Sequence, residues 1–275
     1  MPASVLVTAE PSDATKSGFV TDDGWTVEFE RVLLALGDVD LEDTVEGSGA
    51  CSAYSETHYE KLFDFVAVER EKVGLVYGLG DCSVEYRMRG PSDDALLGSG
   101  ASDADLVSMR TAGGDPYSSS ERVTLRVQGT VSKDDQSKRF DWSFRRSFEV
   151  SGCVADDGEP LSAMDLEGEA ERTLRIEVRA EELFRVQGND DAPLIWGSLA
   201  FDGMGEDGVV TLDDLASVSR PAEFLSQWPV EGVAEEDLSD PLPTQQLTLM
   251  YEHLLPRVTR VVGGAACIAE VRGRR

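Results

Sequence analysis

Lysine is scarce in this chain of 275 residues: Lys16, Lys61, Lys72, Lys133 and Lys138 are all there are, and the other basic side chains are arginines. Histidine is scarcer still, with only His58 and His253. Against 25 Lys and Arg stand 53 Asp and Glu, for a net charge of -28. This shortage of positive charge excludes nucleic acid, whose phosphates would be repelled, and anionic membrane surfaces. It favours solubility and cation binding. A GC-rich genome accounts for arginine in place of lysine, and adaptation to high salt is the sharper alternative. No apolar run approaches the roughly 20 residues that span a bilayer, so no transmembrane segment is expected. Val5-Leu6-Val7 is too short for the apolar region of a signal peptide, so the start reads as a mature or engineered one.

Catalytic signatures are missing too. There is no G-x-S-x-G nucleophile elbow, and any Ser-His-Asp triad must take its base from His58 or His253. A carboxylate pair for glycoside hydrolysis cannot be singled out among so many acids. No C-x-x-C is present for zinc or thioredoxin-like chemistry. The four cysteines, Cys51, Cys82, Cys153 and Cys267, are well separated and allow three pairings. We expect Cys51 with Cys82 and Cys153 with Cys267, in an oxidising compartment, with buried free thiols as the alternative. A 51–82 bridge closes about 30 residues, worth on the order of 3 kcal/mol in the chain-entropy model.

What is present is period-two alternation through the first two thirds. Val84, Tyr86 and Met88 alternate with Glu85, Arg87 and Arg89. The same holds for Val123 to Gln128, Phe140 to Arg145 and Leu174 to Arg179, each predicting a strand with one face in a core and one in water. Lys133-Asp134-Asp135-Gln136 reads as a hairpin connection. Trp25 to Val32, Val39 to Leu41 and Leu62 to Val68 are further strand candidates. After about residue 190 the character changes. Leu247, Met250, Tyr251, Leu254 and Leu255 recur at helical spacing between Pro243-Thr244 and Pro256, and Leu212 to Val218 predicts a short helix. Pro229 to Pro243 reads as a loop. The expected fold is mainly β: an antiparallel β-sandwich over 1–190, then a small C-terminal helical subdomain over 191–275.

The segment Phe201 to Leu215 carries the one local pattern with a specific chemical reading, that of a degenerate EF-hand or dockerin-type calcium loop. With Gly208 at position 6, Asp207 falls at position 5, the Val209 carbonyl at 7, Val210 at the apolar position 8 and Asp214 at 12. Gly203 and Gly205 occupy positions 1 and 3, so the first half is poor, although one extra residue lets Asp202 serve as first ligand. The expected calcium ligands are Asp202, Asp207, Val209 and Asp214, with Glu206 or Asp213 assisting. The same stretch matches G-x-G-x-x-G through Gly203, Gly205 and Gly208, but Glu206 and Asp207 would repel a pyrophosphate. A copper or zinc site built on Cys51 and His58, with Met88 and Met109 as soft donors, is a further candidate. Of the tryptophans (Trp25, Trp142, Trp196, Trp228), Trp142 is expected in the core and Trp25 at a sandwich edge.

Gly24 to Leu41, Leu62-Phe63-Asp64-Phe65 and Tyr77-Gly78-Leu79-Gly80-Asp81-Cys82-Ser83-Val84-Glu85-Tyr86-Arg87 together resemble an uncharacterised extracytoplasmic lipoprotein-like β-sandwich family. They are distantly similar to the methanobactin-linked periplasmic copper-associated proteins. The likeness spans Gly24 to Phe144 and is topological, and no copper ligand of that family maps onto this chain. It implies a sandwich core and an envelope or secreted location. The function expected is that of a secreted or envelope-associated, non-enzymatic binding or structural protein with a protein or envelope partner, with calcium at the 202–214 loop. A carboxylate-dependent hydrolase and a periplasmic copper- or zinc-binding protein are the alternatives.

Overall fold

The run Val32-Leu33-Leu34-Ala35-Leu36 does not alternate, and the fold explains why. It lies in the middle of an 18-residue strand, β3, that is buried on both faces. Val32, Leu34 and Leu36 enter the main core, while Leu33 and Ala35 join Leu62, Leu106, Met109, Ala95 and Val123 in a smaller second core. A strand covered on both sides reads as a continuous apolar run.

The computed structural model describes residues 2–45, 47–111, 122–155, 157–168, 171–186, 190–194, 201, 208–216 and 250–271. The strands described there are β1 (Ala3–Pro11), β2 (Phe19–Val20), β3 (Thr26–Asp43), β4 (Cys51–Ser55), β5 (Thr57–Asp64), β6 (Glu71–Met88) and β7 (Leu96–Leu97). They continue with β8 (Leu125–Lys133), β9 (Gln136–Phe144), β10 (Phe148–Ala155), β11 (Ala163–Asp165), β12 (Glu171–Val178), β13 (Val209–Val210), β14 (Thr259–Val261) and β15 (Gly264–Val271). The helices are α1 (Asp13–Ser17), α2 (Asp103–Arg110) and α3 (Leu212–Ala216), with short turns at Ala180–Phe184, Met250–Leu254 and Leu255–Val258. Among the described residues no helix is long and apolar enough to cross a membrane.

These strands form one large sheet whose main path runs β13-β9-β8-β3-β6-β1-β12-β14. The sheet is mixed, which corrects the antiparallel expectation: β1 with β12, β5 with β7 and β9 with β13 are parallel pairs. The main cause is β1. Val5, Val7 and Ala9 are fully buried, and β1 fills the place between β6, antiparallel to it, and β12, parallel to it. The β8–β9 hairpin is as expected, with Lys133 opposite Gln136 and Asp134 in the left-handed region at φ 52. Such a conformation suits Asp in a two-residue turn.

The described residues beyond 190 form more than helices. Strand β13 adds to β9, β14 to β12 and β15 to β10. Pro256 falls where helical spacing stops, in a tight turn after Met250–Leu254. Both disulfides have the expected pairing, Cys51–Cys82 and Cys153–Cys267. The first joins β4 to β6 and the second β10 to β15. Trp142 is fully buried as expected. Trp25, expected at an edge, is fully buried as well, its ring centroid 5.4 Å from that of Phe201.

At one end of the sheet, acids and arginines close on one another around Ala180–Phe184. Glu182 is fully buried, and Arg185 Nε and Arg257 Nε donate to its Oε2 at 2.8 and 3.1 Å. Arg179 Nη2 lies 2.9 Å from its other oxygen as an ion-pair partner. The neighbouring Glu181 accepts from Ser12 Oγ at 2.8 Å and Thr15 Oγ1 at 2.9 Å. Burial pushes its carboxyl above the ordinary value. This network ties α1, the 180–184 turn and the turn bearing Arg257 together.

Candidate functional site

On the opposite side of β3 from the main core, a second group of acids is arranged differently. It begins at Gly37, where β3 and β5 pass very close together. A Cβ there would lie 2.3 Å from the Tyr59 carbonyl oxygen and 2.4 Å from Glu60 Cα, so only glycine fits. The next residue, Asp38, is left-handed at φ 44, a conformation that Asp tolerates better than most residues. The register slips on both flanks of this point. Against β5, Gly37 faces Glu60 but Val39 faces Thr57; against β6, Gly37 faces Arg87 but Asp40 faces Glu85.

The slip has a chemical consequence, because moving a strand by one residue exchanges the faces of its side chains. Thr57 points inward: it is buried, and its hydroxyl both donates to the Leu75 carbonyl and accepts the Leu75 N–H. Its neighbours Glu56 and His58 therefore point outward by strand alternation. With Val39 opposite Thr57, Asp40 falls across from Glu56 on that same outer side.

Two arginines serve the inner part of this face. Arg87 donates to Glu149 at 2.9 Å and to Asp38 at 3.2 Å. Arg89 pairs with Asp38 at 2.9 Å and donates to Glu60, a nearly fully buried carboxylate that also accepts the Ser92 N–H. Asp38, Glu60 and Glu149 are thus satisfied. Asp40 is not: its Oδ2 lies 3.9 Å from Arg87 Nη2, and its buried Oδ1 has no hydrogen-bond partner among the described residues. Burial, and then the Glu56 carboxylate, push the Asp40 carboxyl above its ordinary value despite Arg87. Glu56 Oε2 stands 3.5 Å from His58 Nε2, and one donor atom each from Asp40, Glu56 and His58 lie within 4.8 Å of one another.

The approach to this cluster is held from the chain side as well. The Asp43 carboxylate accepts the N–H of Cys51 at 2.8 Å and of Gly49 at 2.9 Å, bonds that hold it below its ordinary value. The Cys51–Cys82 bridge then pins β4, which leads directly into Glu56. Cys51 is therefore no metal ligand, which corrects the copper or zinc pairing of Cys51 with His58. Met88 and Met109 are fully buried in the two cores. His253 sits half-buried in the 250–254 turn.

Of the acidic loop, residues 202–207 lie outside the described residues, and with them Asp202, Glu206, Asp207 and the glycines Gly203 and Gly205. The second half is described. Gly208 takes φ 84 at the position where such loops turn sharply. Val209 and Val210 pair with Arg139 and Phe140 of β9, and the Val210 carbonyl accepts the Trp142 indole N–H at 3.1 Å. Asp214 accepts the Thr211 N–H at 2.7 Å and the Thr211 hydroxyl at 2.8 Å, while its own N–H donates to the Thr211 oxygen. This reciprocal cap starts α3. Trp196 and Trp228 lie outside the described residues.

The Asp40–Glu56–His58 cluster was half legible. Glu56-x-His58 carries the alternation that puts both on one side of a strand, but nothing local announces that Asp40 joins them. Only the register slip at Asp38 does. Comparison with protein-family models, with curated proteins and with solved structures finds no match.

Proposed function

We propose that this chain is an extracytoplasmic, non-enzymatic binding or structural protein on a β-sandwich, secreted or held at the envelope by a protein or envelope partner. Calcium at the 202–214 loop is part of that reading. The observation that carries it is that all four cysteines are spent on two bridges, each joining strands of the sheet. Such bridges persist in oxidising compartments and are rare in reducing ones. A core drawn from strands that pair with the two halves of β6, β1 with the first and β3 with the second, supports the sandwich. The turn at Gly208 and the Thr211–Asp214 cap support a calcium loop whose exiting helix starts at α3. The ion would offset repulsion among Asp202, Glu206, Asp207 and Asp214 and stabilise the fold by mass action.

Two measurements test this. Thiol titration of denatured, unreduced protein exported to an oxidising compartment should find no free thiol; four free thiols in natively folded material would sink the extracytoplasmic reading. Thermal unfolding of metal-stripped protein, with and without millimolar Ca²⁺ and with Mg²⁺ as control, tests the loop. A calcium-selective rise in Tm, lost in Asp202→Ala and Asp207→Ala, is expected. No rise, or the same rise in both variants, removes calcium from the reading. Asp214→Ala belongs alongside as a control for the helix cap, since it loses the Thr211 bonds whether or not an ion binds.

A further inference from the structure

We infer that Asp40, Glu56 and His58 form a Zn²⁺ site on the outer face of β3 and β5, with the ion's fourth position open to solvent or a ligand. The donor set itself selects the ion. One imidazole nitrogen and two carboxylate oxygens suit a borderline divalent metal, whereas Ca²⁺ takes six to eight oxygens and Mg²⁺ takes few protein ligands, mostly carboxylates. Three protein ligands with one open position is the arrangement of zinc sites that bind water or substrate.

The spacing is close to what the ion needs. Donor atoms no more than 4.8 Å apart place a central ion at most about 2.8 Å from each, against roughly 2.0–2.2 Å for bound Zn²⁺. Small rotations of Glu56 and His58, both exposed, cover the difference. Asp40 is the fixed member. Its backbone is set by the slip at Asp38, and its Oδ1 is buried without a hydrogen-bond partner among the described residues. An ordinary exposed His–Glu pair accounts for Glu56 and His58 alone, but leaves that oxygen unexplained. Buried polar atoms are rarely left unpaired. Nor does Arg87 fill the need, since it is committed to Glu149 and Asp38 and stays 3.9 Å from Asp40. This site stands apart from the calcium loop in residues and in ion, so either can fail without the other.

The test uses the metal-stripped full chain. Calorimetric titration should find one Zn²⁺ per chain at these residues, with Ca²⁺ and Mg²⁺ giving no heat there, and Co²⁺ should give the visible absorption of a four-coordinate ion. His58→Ala, an exposed position whose loss leaves the metal-free Tm unchanged, should weaken Zn²⁺ binding at least about tenfold and abolish the Co²⁺ spectrum. Asp40→Asn should do the same. Absence of Zn²⁺ binding, or binding indifferent to both variants, overturns the assignment. So does binding that survives His58→Ala but is lost in Asp202→Ala, which would place the ion in the acidic loop.

Discussion

Around Ala180–Phe184 every buried carboxylate meets an arginine or a hydroxyl, whereas on the outer face of β3 and β5 the arginines run out before the acids do. Glu182 has Arg179, Arg185 and Arg257 about it, its Oε1 accepting no hydrogen bond among the described residues but standing 2.9 Å from Arg179 as an ion pair. On the bulged face Arg87 of β6 and Arg89 just after it serve Asp38, Glu60 and Glu149, and Asp40 comes next with an oxygen that has no hydrogen-bond partner among the described residues. In a chain with twice as many acids as bases, neutralisation is spent where burial is deepest. The carboxylates left over mark where a cation from outside has something to do.

Breaking the closed network should have the largest effect. Glu182→Ala strands three arginine side chains around a fully buried position, and we expect a loss of about 3–5 kcal/mol in urea unfolding. A loss below about 1 kcal/mol would mean that the network is no more than a surface arrangement. Next comes the bridge beside the open cluster. Cys51→Ser with Cys82→Ser should cost about 2–4 kcal/mol. It should also weaken Zn²⁺ binding by freeing β4 from β6, while the 180–184 network keeps its contribution; unchanged Zn²⁺ affinity would show that the bridge does not position Glu56.

Asp40 and the arginine-paired Glu10 should respond to pH with opposite sign. Because Asp40 is held above its ordinary value, its contribution to the metal-free fold is complete below that value and is lost as pH rises through the raised one. Asp40→Asn should therefore raise stability at neutral pH and flatten the pH dependence above the ordinary carboxylate range. A destabilised variant would mean the charge is better satisfied than the geometry says. Glu10 is the counterpart. Burial works to raise it, but the hydrogen bonds of Arg70 and Arg175 outweigh that and hold it below its ordinary value. Its contribution is present above that value and is lost on acidification. Glu10→Gln should cost less than about 1 kcal/mol at neutral pH and nothing in acid, read from unfolding midpoints across a pH series.

Strands β8, β9 and β12 were legible because each has one wet face, so Val127 and Arg126, or Ile176 and Arg175, alternate cleanly. Strand β3 was read as two pieces because Val32 to Leu36 is buried on both sides and loses its period. Strand β1 was seen only as a short apolar run, since its partners lie far along the chain. The antiparallel expectation followed from that omission. At the candidate site, Glu56 and His58 obey a local rule that can be read directly. Asp40 joins them through a register slip, which is a property of three strands together and is written in no one of them.

The placement of β1 between β6 and β12 has a consequence for how the molecule comes into being. Strand β1 pairs with Glu71–Gly78 on one side, but its other side waits for Glu171–Val178, about 170 residues further along the chain. Until then a row of N–H and C=O groups beside Val5, Val7 and Ala9 stays unpaired, the kind of edge that recruits strands from other chains. Strand β15 closes on β10, again across a long stretch of chain. Pairings of such long reach should slow folding, and a holdase that shields the β1 edge and an oxidant that joins Cys153 to Cys267 should both speed it.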